Sequence, residues 1–266
     1  MAEPVIADEQ PSSQPALLPR PRQDADPGLF ASLQSLLVTV VIAVFVITFI
    51  VQAFQIPSES MENTLLIGDY LLVNKLRYGG GKIGDAFVPY QKVRRGDIVV
   101  FHYPINPAQH FVKRVIGVPG DHVHLREGRV WVNGLPLREP YVRHTSVVHD
   151  VYRDDFPQVD RIVPGEEAHW FVELKREVEH GELVVPAGQY FVMGDNRDES
   201  LDSRYWGFVP RQNIIGSPLV IYWSIDSNAN DYAGSGTASD KLMRFAYALT
   251  HLFKIARWDR TFRLVN

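Results

Sequence analysis

Apolar positions follow two regimes along this chain. From 36 to 54 they run almost unbroken, and 30–58 holds no Asp, Glu, Lys or Arg. Those nineteen residues, at ~1.5 Å each, rise roughly 28 Å as a helix, close to the ~30 Å core of a bilayer. The stripe is apolar all round, which predicts a transmembrane helix over 30–55. A buried globular helix and a cleaved signal sequence are the rival readings. Val51-Gln52-Ala53 resembles a cleavage site, but the run is long, starts late and follows an acidic, proline-rich tail. From residue 65 the pattern shortens to strands. Leu71-Leu72-Val73 follows the Gly68-Asp69 turn, and Ile98-Val99-Val100-Phe101 follows Gly96-Asp97. Further strands are expected at 111–118, 122–126, 129–132, 189–193 and 219–223, with tight turns at Pro119-Gly120-Asp121, Glu127-Gly128 and Asn133-Gly134. The fold class this predicts is mainly β, an antiparallel β-sheet domain anchored by one N-terminal helix.

Composition divides the rest. Residues 1–29 hold six prolines with Ser, Gln and Asp, and read as a disordered tail. Within the main domain, 56–226, the stretch 138–187 reads as an insertion rich in His, Asp and Arg, with no chemistry of its own. Residues 227–266 read as a Ser/Asn/Gly/Ala linker, 227–240, and an amphipathic helix. Leu242, Phe245, Leu249, Leu252 and Ala256 give that helix its spacing, and it fits anionic lipid or a docked position equally. Arg20 and Arg22 precede the apolar run and the first basic residue after it is Lys75, which favours the N-terminus inside. A net charge of −4 argues against nucleic acid. The absence of cysteine excludes a disulfide scaffold, a Cys nucleophile and a Cys-ligated metal. The nine histidines form no H-E-x-x-H, and His122-x-His124 reads as two residues on one face of a strand, so no metal and no cofactor are expected.

Four segments carry polar residues that a packed β domain does not need. They are Ser58-Glu59-Ser60-Met61, the 95–101 segment opening Arg95-Gly96-Asp97, the 111–121 segment with Lys113 and Arg114, and the 194–204 segment from Gly194-Asp195-Asn196 to Asp202-Ser203-Arg204. Ser60 is either a solvated turn hydroxyl or a nucleophile aimed at a substrate near the membrane. Lys113 shares a strand face with Phe111 and Val115, whereas Arg114 points the other way. Its stem either snorkels, or its ammonium is desolvated, titrates well below ~10.4 and takes a proton from a serine. The 194–204 segment reads as a turn stitched by Asx bonds and an Asp–Arg pair, or as the source of a hydroxyl that orients the lysine.

Together, in this order after an apolar helix, the four segments resemble the conserved boxes of type I signal peptidases, the bacterial leader peptidase family of membrane Ser-Lys serine proteases. The resemblance covers roughly 30–137 and 188–223. It implies Ser60 as nucleophile, Lys113 as general base, and Ser58 beside the Ser60 N–H as oxyanion hole. It implies Ser200 as the group that positions the Lys113 amine, Asp202 and Arg204 as a structural ion pair, and Arg114 in support. Ile56, Pro57, Phe111 and Val112 match walls of the substrate pocket. The implied activity is removal of signal peptides from exported preproteins after small-x-small sites, through an acyl-enzyme. The implied location is the bacterial cytoplasmic membrane, with 1–29 inside and the catalytic domain outside. The family fold also implies a β-rich cap at 138–187. One departure is Asn63, where the family usually has proline. A Ser-His-Asp hydrolase is the enzymatic rival, but no G-x-S-x-G is present. An anchored β domain that only binds partners leaves the 111–121 and 194–204 segments unexplained.

Overall fold

The computed structural model describes residues 28–78, 91–160, 162, 167–226 and 255–265. The expected disordered tail up to 27, the linker and most of the C-terminal helix lie outside these residues. Of that helix, Ala256 is described, and it forms a β-bridge with Ile225. The chain divides into two units, Met1–Ala43 and Val44–Asn266.

Helix α1 (Leu29–Phe45) continues as a π-helical turn, Val46–Ile50. Leu29–Ile50 has 22 residues and a mean hydropathy of 2.6, long and apolar enough to cross a membrane. The helix stops short of the expected residue 55. Val51–Gln55 is strand β1, paired antiparallel with β2 (Asp69–Asn74), Val51 opposite Asn74 and Gln55 opposite Tyr70. An unbroken apolar run carries no period to mark where helix gives way to strand; pairing decides it. Lys75 closes the helix end, its N–H on the Ile50 carbonyl at 2.9 Å and its ammonium on the Thr48 carbonyl at 2.7 Å. Those carbonyls would otherwise lack intrahelical partners.

The larger sheet also takes in β3 (Ile98–His102), β4 (His110–Gly117), β10 (Gln189–Met193), β11 (Val209–Pro210), β12 (Ile214–Ser224) and β13 (Arg263–Leu264). Its order is β1-β2-β12-β3-β4-β10-β11, with β13 added beside β12. Burial alternates along β2, Leu71 and Val73 inward, as a one-sided strand requires. β3 is apolar at every position from Ile98 to Phe101 and all four are buried. β12 changes register at three points along its length, near Gly216, Pro218 and Ile221. Such bulges bend a long strand and accommodate a proline that cannot donate to the ladder.

The smaller sheet is β5 (His122–Arg126), β6 (Arg129–Val132), β7 (Leu135–Pro136), β8 (Val178–Glu179) and β9 (Glu182–Val184), in the order β7-β6-β5-β9-β8. The insertion therefore supplies only β8 and β9 to it. The rest of its described regular structure is helical, α2 (Val151–Asp154) and α3 (Ala168–Glu177). Trp170-Phe171-Val172 lies on α3, where Trp170 and Leu174 occupy one face at helical spacing and join the core under this sheet. Trp170 Nε1 also donates to the Arg204 carbonyl at 3.1 Å, fixing the helix to the 194–204 segment.

A second core holds the serine segment. Ile56, Met61 and Leu65 pack with Leu71, Val73, Ile98, Val100 and Ile221. From the far end of the chain, buried Arg260 clasps Asp69 with Nη2–Oδ2 at 2.6 Å, and donates to the Thr64 carbonyl at 3.0 Å. Ser224 Oγ donates to the same Asp69 carboxylate at 2.6 Å.

Trp170→Ala is expected to cost about 3–5 kcal/mol, from lost burial plus the cavity left behind. Denaturant unfolding of the variant would measure it. A cost under ~1 kcal/mol would mean that α3 is not part of the cooperative core.

Candidate active site

Ser60 sits on a single 3₁₀ turn, Glu59–Met61, between the buried anchors Ile56 and Met61. Its own side chain is nearly closed off, at 7% exposure. The turn is tied from both sides. Asn196 N–H donates to the Ser60 carbonyl at 3.1 Å, and Asn196 Nδ2 to the Glu59 carbonyl at 3.3 Å. Leu65 N–H closes on the Met61 carbonyl at 2.8 Å.

Lys113 comes from the centre of β4, opposite Val99 of β3. Its ammonium donates to Ser60 Oγ at 2.6 Å, and the residue is 4% exposed. Burial lowers its pKa from the usual 10.5 to about 8. Asp202 and Asp195 pull it upward and Arg204 pushes it down, but desolvation is the largest influence. The Ser58 and Ser60 hydroxyl oxygens lie 3.4 Å apart.

Strand alternation sends Arg114 to the other face, where it is also buried. It forms a two-point pair with Asp195, Nε–Oδ1 at 2.8 Å and Nη2–Oδ2 at 2.7 Å. Thr64 Oγ1 donates to Asp195 Oδ2 at 2.5 Å. A second buried pair joins Arg204 to Asp202, Nε–Oδ1 and Nη2–Oδ2 both at 2.8 Å. Burial alone would raise the Asp202 pKa; Arg204, Lys113 and the Gly194 N–H more than offset it, so the carboxyl titrates low. Asp202 also starts the short helix α4 (Ser203–Trp206) by accepting from the Arg204 N–H. Gly194 admits no side chain. A Cβ there would lie 2.3 Å from Ser200 Oγ and 2.4 Å from the Ser60 carbonyl.

One implied contact is not formed. Ser200 Oγ is buried without a hydrogen-bond partner among the described residues, and the Lys113 ammonium turns to Ser60 instead. The other implied residues converge. Ile56, Pro57, Phe111 and Val112 line a cleft of about 300 Å³ that also contains Ser58, Ser60 and Lys113. Phe54, His110, Glu199 and Leu201 are also among its walls. Sequence reasoning assigned no role to these four, nor to Asp195, Thr64 or Asn196. A carboxylate partner for an arginine turned inward from a strand was to be expected from 194–204, but that segment holds several and only the fold selects Asp195. A larger, more open cavity of about 1060 Å³, lined by His124, His149, Phe156, His180 and Glu182, contains no serine or lysine. There His124 bonds Glu182 at 2.7 Å. No group of three or more His, Cys, Asp or Glu among the described residues is arranged to hold a metal ion.

Residues 29–223 match the family described as signal peptidase, peptidase S26. The chain belongs to that family. Its members are serine endopeptidases. A signal peptidase I of Pseudomonas aeruginosa is 38% identical over 193 residues, 66% of this chain and 66% of its own. One from Leptolyngbya laminosa is 34% identical over 223 residues, covering 81% and 90%. One from Buchnera aphidicola subsp. Acyrthosiphon pisum is 33% identical over 233 residues, covering 72% and 74%. The chain thus spans two thirds to nine tenths of these relatives. A solved signal peptidase I from Enterococcus faecalis V583 is similar at 35% identity and a TM-score of 0.36, over 48% of this chain and 97% of its own. Membership of the signal peptidase family rests on the sequence matches and not on that superposition.

Proposed function

We propose that this protein is a membrane-anchored endopeptidase that removes signal peptides from exported preproteins after small-x-small sites, using Ser60 and Lys113. The observation that carries the reading is the 2.6 Å contact between a buried lysine amine and a buried serine hydroxyl. With a pKa of about 8, roughly one lysine in ten is neutral at pH 7. At the usual 10.5 the fraction would be about one in 3,000. Burial thus raises the population of competent base about 300-fold.

The neutral amine takes the proton as Ser60 Oγ attacks the scissile carbonyl carbon. The oxyanion that forms is held by the Ser58 hydroxyl and the Ser60 N–H. The C–N bond then breaks, and Lys113 returns its proton to the departing amine, the new N-terminus of the mature protein. The signal peptide remains as an ester on Ser60. Lys113 next takes a proton from water as the water oxygen attacks the ester carbonyl. The ester C–O bond breaks, Lys113 passes that proton to Ser60 Oγ, and the signal peptide leaves as an acid that ionises in solvent. Ser200, whose buried hydroxyl has no hydrogen-bond partner among the described residues, is the group left to orient the neutral amine while Ser60 is acylated. Arg114–Asp195 and Asp202–Arg204 brace the two walls.

The acid limb of the pH–rate profile tests the dyad. Activity should climb with pH through about 8, because depression of the lysine pKa makes the deprotonated form the one gained. Ser60→Ala and Lys113→Ala should each abolish turnover, with the double variant little worse. Lys113→Arg should be equally inactive, since guanidinium keeps its proton. A Lys113→Arg enzyme near wild-type kcat/KM would sink the mechanism.

Ile56, Pro57, Phe111 and Val112 line the cleft with apolar side chains, and the proposed reading takes them as the walls of a pocket for a small residue such as alanine. A preprotein with Ala→Leu just before the cut should be processed roughly 5- to 150-fold more slowly, the equivalent of ~1–3 kcal/mol of overpacking. Equal rates would remove the pocket assignment.

Orientation follows from the basic residues Arg20 and Arg22 before the apolar helix. Protease added to intact spheroplasts should digest the catalytic domain and spare the N-terminal tail. Digestion of the tail alone would reverse the orientation.

A further inference from the structure

Asn63 has its backbone at φ 102°, in a region that residues with a Cβ rarely occupy and that asparagine tolerates better than most. Proline, usual in the family at this position, cannot follow, because its ring fixes φ near −65°. The turn here is therefore shaped differently from one built on proline, and something must hold it.

The inserted segment holds it. Asn63 Nδ2 donates to the Tyr141 carbonyl at 3.0 Å. One residue earlier, Glu62 Oε2 meets Arg143 Nη1 at 2.9 Å. The same short segment is stitched to the opposite wall. Arg143 N–H donates to the Asp195 carbonyl at 2.8 Å, and its carbonyl accepts from Arg197 N–H at 3.0 Å, making a parallel bridge with Asn196. The Tyr141 ring lies 3.8 Å from the Arg114 guanidinium carbon, and Arg114 in turn grips Asp195. Residues 141–143 thus touch both the turn that carries Ser60 and the 194–197 strip that hydrogen-bonds its carbonyl. Met61 and Leu65, on either side of Asn63, are fixed in the core. The turn through Asn63 closes on the Met61 carbonyl, which accepts from the Thr64 and Leu65 N–H groups at 3.0 and 2.8 Å, so a change in the backbone at 63 bears on the residue next to Ser60.

We propose that residues 141–143 are a latch on the nucleophile turn, and that Asn63 is a positioning residue for Ser60 which acts through the Tyr141 carbonyl. The inference rests on the reading of Ser60 as nucleophile. It gives this part of the insertion a task in catalysis, and it makes the residue usual in the family the wrong residue for this chain.

The experiment uses the full-length enzyme in detergent with a preprotein substrate, reading kcat, KM and the pH profile. Asn63→Gly keeps the backbone conformation and removes the latch. It should lower kcat about 10-fold with KM within about twofold, because the cleft walls are untouched. Asn63→Pro removes both conformation and latch and should cost about 100-fold. In both, the acid limb should move to higher pH, since a loosened turn admits water beside Lys113 and relieves its desolvation. Wild-type kcat and acid limb in Asn63→Gly, or full activity in Asn63→Pro, would overturn the proposal. Should Asn63→Gly fail to fold, Arg143→Ala is read the same way: lost kcat with a raised acid limb supports the latch, and wild-type values reject it. Ser60→Ala separates the two ideas. If it remains active, the nucleophile reading fails; if it is dead while Asn63→Gly is normal, only the latch fails.

Discussion

A lysine amine kept out of water and hydrogen-bonded to a serine hydroxyl is the constraint around which this domain is arranged. Desolvating an ammonium is costly, and the protein tolerates it because the group titrates down toward neutrality. The strands β3, β4 and β10 supply the dry surface. The 3₁₀ turn supplies Ser60, and it stays in place because Ile56, Met61 and Leu65 are buried beneath it. A more open site would let water in and return the lysine to its ordinary, almost fully protonated state.

Two buried carboxylates close to that amine work against this arrangement. Asp202 and Asp195 each draw the Lys113 pKa upward. Each is also bound to its own arginine, Asp202 to Arg204 and Asp195 to Arg114. Pairing reduces the field that reaches the lysine, so burial prevails. The ion pairs are thus as much electrostatic insulation as bracing. Removing either arginine would leave an uncompensated carboxylate in the core, a change that destabilises folds by about 3–5 kcal/mol and would also recharge the lysine.

Much of this was readable from residue order. Strand parity put Lys113 and Arg114 on opposite faces, and the two faces have different partners. Turn residues marked most strand starts. What escaped depended on contacts distant in sequence. Val51–Gln55 reads as a continuation of an apolar helix, and only pairing with β2 makes it a strand. Trp170-Phe171-Val172 suits a strand by composition, but Trp170 and Leu174 find their pocket only if the backbone is helical. Asp195 stands among several acidic residues in a turn, and nothing local distinguishes the one that Arg114 selects. The partner of the Asn63 side chain is likewise a carbonyl 78 residues away.

The clasp between Arg260 and Asp69 joins positions 191 residues apart. Arg260 also reaches the Thr64 carbonyl, four residues past the serine. The ribosome must therefore add almost 200 residues after Asp69 before the support behind the turn that carries Ser60 is complete. Contacts of such long range carry a large loop-closure entropy and form late. A chain assembled in this sequence completes the turn that carries Ser60 only after most of its sheet has been translated and paired.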